Sequence, residues 1–179
     1  ILGIPGGIGI ALGGYLADRF GARDPKWFLW TTAVALLICV PLNIVVFTSN
    51  NSTIALVAMI LPVFLGNFYQ ATTFSQTQGI SALRMRAVAA GILLFILNII
   101  GLGLGPQFVG ILSDLLSPQF GNESLRYALL ICSLVNMWAA IHYFIAGDTW
   151  QMIWLQRVDV DRRWPKSFKH PLFHGLGIE

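Results

Sequence analysis

Charged side chains are scarce in this chain. Asp, Glu, Lys and Arg make up 11% of its 179 residues, and residues 1–17 contain none of them. An average soluble domain has roughly 25% charged residues, so this chain lacks the polar surface that a water-soluble globule needs. Because 56% of the residues are hydrophobic, the composition predicts an integral membrane protein.

The apolar residues form long, continuous runs rather than an alternating pattern. A helix needs about 20 such residues to cross a bilayer, whereas a membrane β-barrel would show alternation with a period of two. The runs therefore predict an all-α fold with five transmembrane helices. The predicted spans are residues 1–17, 27–48, 54–79, 87–113 and 126–147.

Chemically reactive clusters are also missing. The two cysteines, Cys39 and Cys132, lie inside predicted spans, where cysteine acts as a small apolar packing residue. A membrane enzyme would gather nucleophiles, acids or metal ligands near one interface, but Asp18 and Asp24 are predicted on one side of the membrane and Asp114 on the other. We therefore expect no enzyme, no metal and no cofactor.

The basic residues fall almost entirely on one side of the predicted spans. Of the 11 Lys and Arg residues, three follow the first span, two follow the third, five lie in the tail and only Arg126 lies on the opposite side. By the positive-inside rule, the side with ten basic residues is cytoplasmic. This predicts that the basic and aromatic tail, residues 148–179, is cytoplasmic, and it gives no reason to expect nucleic-acid binding.

The first charged segment carries a motif. Residues 14–23 read GYLADRFGAR and resemble the G-x-x-x-D-R-x-G-R signature in the cytoplasmic loops of the major facilitator superfamily. Glycine allows close helix contact, and a carboxylate at the water edge favours the positive N-terminus of a neighbouring helix. We expect Asp18 to contact residues 84–88 and to close the cytoplasmic side. The candidate gate residues are Gly14, Asp18, Arg19, Gly21 and Arg23.

This resemblance implies a twelve-helix transporter. The loop then joins helices 8 and 9, so that residues 1–147 form helices 8–12 of the C-terminal six-helix half. The upstream helices are expected to be missing from this chain, and the N-terminal half of the same transporter is the expected partner. We expect a multi-pass protein of the bacterial inner membrane.

Three further stretches resemble the spinster-like branch of the superfamily. They are LADRFGARDPKWFLW, RAVAAGILLFILNIIGLGLGPQFVGILSD and SLRYALL. Members of that branch with known substrates move lysophospholipids or sphingolipids, while a branch of organic-ion symporters has a similar eleventh helix. Both branches stay open as alternatives.

The fourth predicted span contains glycine and proline, which weaken a helix unless neighbouring helices restore its hydrogen bonds. The resemblance implies that this span bends during transport, whereas close packing alone is the other interpretation, because membrane helices commonly contain both residues. The candidate hinge residues are Gly101, Gly105, Pro106 and Gly110.

Polar residues recur along one stripe of the third span, at spacings of three and four. The resemblance implies a solute cavity near the bilayer midplane, lined by the first, third and fourth spans, with the second and fifth spans facing lipid. The alternative is hydrogen bonding between helices, worth about 1 kcal/mol or less per bond. The candidate cavity residues are Asn67, Tyr69, Gln70, Thr73 and Thr77, with Asn98 in the fourth span.

Energy coupling is not visible in these spans. Proton-driven transporters keep an ionisable residue within the membrane, but the five spans contain only His142, which we expect to be hydrogen-bonded near the interface. A residue for a coupling proton would then lie in the missing half, and facilitated diffusion is the alternative. Asp114 and Arg126 are the candidate outer gate.

The sequence therefore predicts secondary active transport of a small organic or lipid-like solute by alternating access. The bilayer, this solute and a coupling proton are the expected partners. A symporter of organic anions or cations is the first alternative. An integral-membrane lipid-modifying enzyme and a non-transporting scaffold are less favoured.

Overall fold

The computed structural model describes residues 3–163, without the side chains of residues 52, 154 and 156–163. Within that range the chain is helical and has no strand. The helices are α1 (Gly3–Gly21), α2 (Trp27–Thr48), α3 (Ser52–Ala58), α4 (Ile60–Gly66), α5 (Phe68–Ile80), a short 3₁₀ turn (Leu83–Met85), α6 (Arg86–Ile96), a π-helical segment (Leu97–Leu104), α7 (Gly105–Phe120), a second 3₁₀ turn (Gly121–Glu123), α8 (Ser124–Ser133) and α9 (Val135–Arg163).

Three of the described helical stretches are long and apolar enough to cross a membrane, and they are Trp27–Thr48, Thr53–Ile80 and Leu83–Ile153. The last of these folds back at Gly121, whose φ of +52° suits glycine, so that α8 packs beside α7. This architecture is that of an all-helical membrane protein. Since α1 is not among the three stretches and Leu83–Ile153 counts as one, the number of five spans stays a prediction.

Helix α2 lies at the centre of the bundle. It contacts α1, α3, α4, α5, α8 and α9, and Thr32, Ala33 and Cys39 on it are almost fully buried. Its other face exposes apolar side chains such as Ile38 and Val45. The helix expected to face lipid therefore has one face in the core of the described bundle and one apolar face outside it.

Small residues bring α1 close to the third predicted span. Gly6, Gly9, Gly13 and Ala17 recur every three or four residues and are buried against α4 and α5. A Cβ atom on Gly13 would lie 2.8 Å from the Cα atom of Phe68, closer than packed atoms can approach. The glycines therefore allow nearly direct contact between the two backbones.

The helix from Arg86 to Phe120 stands at the edge of the bundle. None of its described residues is buried, and it touches the rest of the bundle through α5 near its start and α8 near its end. Its apolar side chains, including Leu102 and Phe108, are exposed. The first and last parts of this helix therefore contact other helices of the bundle, whereas its middle does not.

Candidate functional site

The helix from Ser52 to Ile80 is broken near its middle, at Asn67. In a regular α-helix, the backbone N–H of Asn67 would donate to the carbonyl of Val63. Here the side-chain Nδ2 of Asn67 donates to that carbonyl, at 2.6 Å, and the helix is interrupted between α4 and α5. Such bonding from a side chain to the preceding turn competes with the backbone ladder and bends helices.

Asn67 also contacts Gln70, another predicted cavity residue, and lies close to α1. The Nε2 atom of Gln70 donates to Asn67 Oδ1 at 3.4 Å. On the neighbouring helix, a Cβ atom added to Gly6 would lie 3.3 Å from Asn67 Nδ2. Asn67 and Gln70 are both half-buried, so the structure brings this pair together at a partly open position beside α1.

The remaining members of the predicted stripe behave differently. Thr73 Oγ1 lies 2.6 Å from the hydroxyl oxygen of Tyr143 on α9, and Thr77 Oγ1 donates to the carbonyl of Thr73 in its own helix. Tyr69 is half-buried. Asn67 faces α1 and Thr73 faces α9. The predicted stripe therefore does not form one continuous surface.

Gln76 is a polar residue that the sequence interpretation missed. Its Oε1 atom is buried and has no hydrogen-bond partner among the described residues, which is uncommon for a buried carbonyl oxygen. Gln76 follows Thr73 by three residues, so it fits the same spacing and could have been included in the stripe. By contrast, no sequence signal connects Thr32 to Thr72, whose hydroxyl oxygens lie 2.8 Å apart in the core.

A π-helical segment separates α6 from α7. The N–H of Gly105 donates to the carbonyl of Ile100, five residues earlier. Pro106 follows directly, and it has no N–H to donate to Leu102 in the α register. Pro106 thus explains why the wider turn forms here, and such turns are frequent at functional sites. Of the predicted hinge residues, Gly101 lies in the π segment, while Gly105, Pro106 and Gly110 lie in α7.

Asn98 occupies the same kind of position in this helix that Asn67 occupies in the broken one. It lies at the start of the π segment, and its Nδ2 atom donates to the carbonyl of Leu94, four residues earlier, at 2.7 Å. Unlike Asn67, Asn98 is exposed. Two asparagines, each near the middle of a long apolar helix, therefore bind the preceding turn at a helix irregularity.

The predicted gate loop lies at the end of α1. Asp18, Arg19 and Arg23 are exposed, and within the described part of the chain Asp18 has no ion pair. Helix α1 makes no contact with residues 83–96, so the expected contact of Asp18 with residues 84–88 is absent in this conformation. The gate glycines are packed, Gly14 beside Ala71 and Gly21 beside Phe28.

Aromatic side chains hold this loop to α9, a connection that the sequence did not reveal. The ring centroids of Phe20 and Trp27 are 6.0 Å apart, those of Trp27 and Trp30 are 5.6 Å apart, and those of Trp30 and Phe144 are 5.5 Å apart. Trp30 Nε1 donates to the carbonyl of Phe144 at 3.2 Å. The end of α1, the start of α2 and an interior turn of α9 are thereby joined on the side of the gate loop.

At the opposite end, Arg126 does not pair with Asp114. Its Nη1 atom lies 2.8 Å from the carboxylate of Glu123, and its Nη2 atom donates to the carbonyl of Ser49 at 2.8 Å. Glu123 precedes Arg126 by three residues, a spacing that places two side chains next to each other on a helix. Asp114 is exposed on α7, so the two candidate outer-gate residues form no ion pair with each other in the described structure, and their role as a gate stays a prediction.

The other ionisable groups form no metal site in the described residues, where no cluster of three His, Cys, Asp or Glu side chains occurs. His142, the titratable residue of the fifth predicted span, has its Nδ1 atom 2.9 Å from the carbonyl of Trp138. The tail beyond residue 147 continues α9 as far as Arg163, and residues 164–179 lie outside the described range.

This chain is similar to a protein named MFS-type efflux pump from Mycolicibacterium smegmatis, with 31% identity over 146 residues. The match covers 81% of this chain and 34% of that protein. The chain therefore spans about a third of the length of the curated relative it matches. No protein-family model matches the chain, and no solved structure matches it.

Proposed function

We propose that this chain is part of a transporter of the major facilitator superfamily that moves a small organic or lipid-like solute by alternating access. The similarity to the Mycolicibacterium smegmatis pump supports membership of the superfamily and a transporter rather than an enzyme. The name of that relative favours export from the cell. Because the chain spans about a third of the relative, transport is a property proposed for the whole protein.

Within that protein we assign the chain to helices 8–12, with the N-terminal half of the same transporter as its partner. Two observations support this assignment. The GYLADRFGAR loop stands before four further predicted spans, and ten of the 11 basic residues fall on one side of them. That side would be the cytoplasm of a bacterial cell.

The observation that carries the proposal is the pair of interrupted helices at Asn67 and Asn98. Secondary transporters bind their solutes near the bilayer midplane, typically at discontinuous helices. Asn67 and Asn98 each lie near the middle of a long apolar helix and each donate to the preceding turn. With Gln70, they are the residues that we assign to solute binding.

The other candidate residues receive different roles. The hydroxyl group of Thr73 is already bonded to Tyr143, so we assign Thr73 and Tyr69 to the interior of the bundle. Thr77 is half-buried and stays a candidate at the cavity. The spinster-like branch, with a lysophospholipid or sphingolipid as solute, is the finer proposal, and it depends on the sequence resemblance alone.

Movement would centre on the π segment. Helix α7 is packed against α8, while α6 is packed against α5, so the two halves of this helix are held by different parts of the bundle. A wide turn between them allows α6 to rotate without unfolding α7. Gly101, Gly105 and Pro106 are the hinge in this proposal, and the Asp18 loop is the cytoplasmic gate.

Transport by the full-length protein in proteoliposomes tests the proposal. Lysophospholipid and sphingoid-base tracers are compared with small organic anions, with and without an imposed pH gradient. Uptake that falls in Asn67→Ala and Asn98→Ala, but not in the control Asn136→Ala, would support the assigned cavity. Transport of anions alone would overturn the lipid assignment, and transport of no solute would favour a scaffold.

A further inference from the structure

A cleft of about 540 Å³ opens at the end of the bundle opposite the gate loop. It lies between the end of α2, the helix α3 with Met59 after it, and α8 with the turn before it. Its walls include Phe47, Leu56, Met59 and Leu129, and its rim includes the pair Glu123 and Arg126. Seven of its twelve lining residues are apolar and five are polar or charged, and the cleft is open to the outside rather than enclosed.

The two charged side chains of the rim, Arg126 and Glu123, are held in position, but part of their hydrogen-bonding capacity is still available. Arg126 is held by Glu123, by the carbonyl of Ser49 and by Asn50 Oδ1 at 3.4 Å. These contacts use part of a guanidinium group that has five N–H donors. The side chains of Arg126 and Glu123 are 31% and 56% exposed, so both charges remain within reach of a molecule in the cleft.

The two charges together select the kind of molecule that fits. A net anion would be attracted by Arg126 but repelled by the adjacent carboxylate of Glu123, and a net cation would meet the reverse. A group with a positive and a negative charge close together satisfies both residues. The apolar walls beside the rim would at the same time accept a hydrocarbon chain.

We propose that this cleft binds a phospholipid of the bilayer with a zwitterionic headgroup that carries a primary ammonium. The phosphate contacts Arg126, the ammonium donates to Glu123, and one acyl chain lies along Leu56 and Leu129. A primary ammonium donates charge-assisted hydrogen bonds, whereas a quaternary ammonium has no N–H. This proposal depends on the membrane placement proposed above and not on the identity of the transported solute.

Lipid binding to the purified full-length transporter, measured by native mass spectrometry after removal of lipid, tests the site. The probes are phosphatidylethanolamine, phosphatidylcholine and phosphatidylglycerol with the same acyl chains. We expect phosphatidylethanolamine to bind most tightly. Glu123→Gln should reduce its advantage over phosphatidylcholine by about tenfold, as for the loss of a hydrogen bond to a charged group. Asp114→Asn, at the same end but outside the cleft, should change nothing.

A second variant keeps the test valid if changes to the ion pair disturb folding. Ala55 lines the cleft, so Ala55→Trp would fill it without altering any charge and should abolish the preference for phosphatidylethanolamine. The proposal is overturned if phosphatidylglycerol binds most tightly, if Ala55→Trp binds as the parent does, or if no lipid is retained because another part of the transporter fills the cleft. Lipid retention without transport would count against the proposed function alone.

Discussion

Thr73 on α5 and Tyr143 on α9 join their hydroxyl groups at 2.6 Å, across 70 residues of sequence. The adjacent Thr72, also on α5, has its hydroxyl oxygen 2.8 Å from that of Thr32 on α2. Two adjacent threonines thus face two different helices. Polar contacts between α5 and its neighbours therefore help to hold the half of the broken helix that follows Asn67.

Tyr143→Phe tests the first of these bonds. Hydrogen bonds between membrane helices average about 0.6 kcal/mol, so we expect a small drop in the melting temperature of the purified full-length protein. Thr73→Val should cause a similar drop, and the double variant should be little worse than either single one, because both changes remove the same bond. Additive losses would contradict this, and Tyr127→Phe, at an exposed position, is the control.

Gly9→Ala tests the close contact of α1 with α4. A Cβ atom there would collide with the carbonyl of Phe64, and overpacking of this kind typically destabilises by about 1–3 kcal/mol. Gly7 offers a matched control two residues away, since nothing lies within 4 Å of its added Cβ. Equal melting temperatures for Gly9→Ala and Gly7→Ala would show that this contact is not formed in the full-length protein.

Gln76→Leu tests the buried oxygen that has no described partner. Removal of an unsatisfied buried acceptor should raise the free energy of unfolding by about 1 kcal/mol, while Gln78→Leu on the exposed face of α5 should have little effect. Thermal unfolding of the two variants gives the comparison. A clear loss of stability in Gln76→Leu would mean that its oxygen has a partner in the complete transporter.

Pro106→Ala tests the origin of the π segment. The new N–H would be able to donate to Leu102, so we expect residues 97–106 to return to the α register and to exchange amide hydrogens more slowly. Transport should slow as well, because the hinge becomes stiffer. Pro118→Ala, in the same α7 but beyond the π segment, serves as control. Faster or unchanged transport in Pro106→Ala would show that the π segment does not act as a hinge in transport.

Asp18→Asn tests the gate loop. Exposed ion pairs are generally worth under about 1 kcal/mol, which is enough to change the populations of two conformations severalfold. We expect cysteines introduced into the cavity to become more accessible from the cytoplasmic side. Asp24→Asn is the control, because Asp24 pairs with Lys26 beside it at 3.4 Å. Unchanged accessibility and transport in Asp18→Asn would contradict a gate at this position.

Local sequence features explain several parts of the candidate site. Pro106 removes a backbone donor whatever surrounds it, so a weak point near the Gly105–Pro106 step followed from sequence. The spacing of Asn67 and Gln70 likewise placed their side chains near each other on one helix. The ion pair of Arg126 with Glu123, one helical turn away, also has a local spacing in the sequence, but the sequence interpretation did not name it.

Long-range partners could not be found in this way. Nothing in the sequence near Thr73 points to Tyr143, and nothing near Trp30 points to Phe144, because each contact depends on how two helices are placed and rotated against each other. For the same reason, the stripe from Asn67 to Thr77 was predicted as a single surface, whereas the structure turns its two ends toward different helices.

The sequence by itself determined that the chain is helical and apolar enough for a membrane, because hydropathy and backbone hydrogen bonding depend on each segment alone. It also indicated a weak point in the fourth predicted span, at Gly105 and Pro106, whereas the irregularities at Asn67 and Asn98 emerged only from the structure. Only the tertiary structure decided which polar groups are satisfied by neighbouring helices, as Thr73 is by Tyr143, and which are not. That division depends on contacts between helices, and packing sets those contacts over distances that local sequence does not encode.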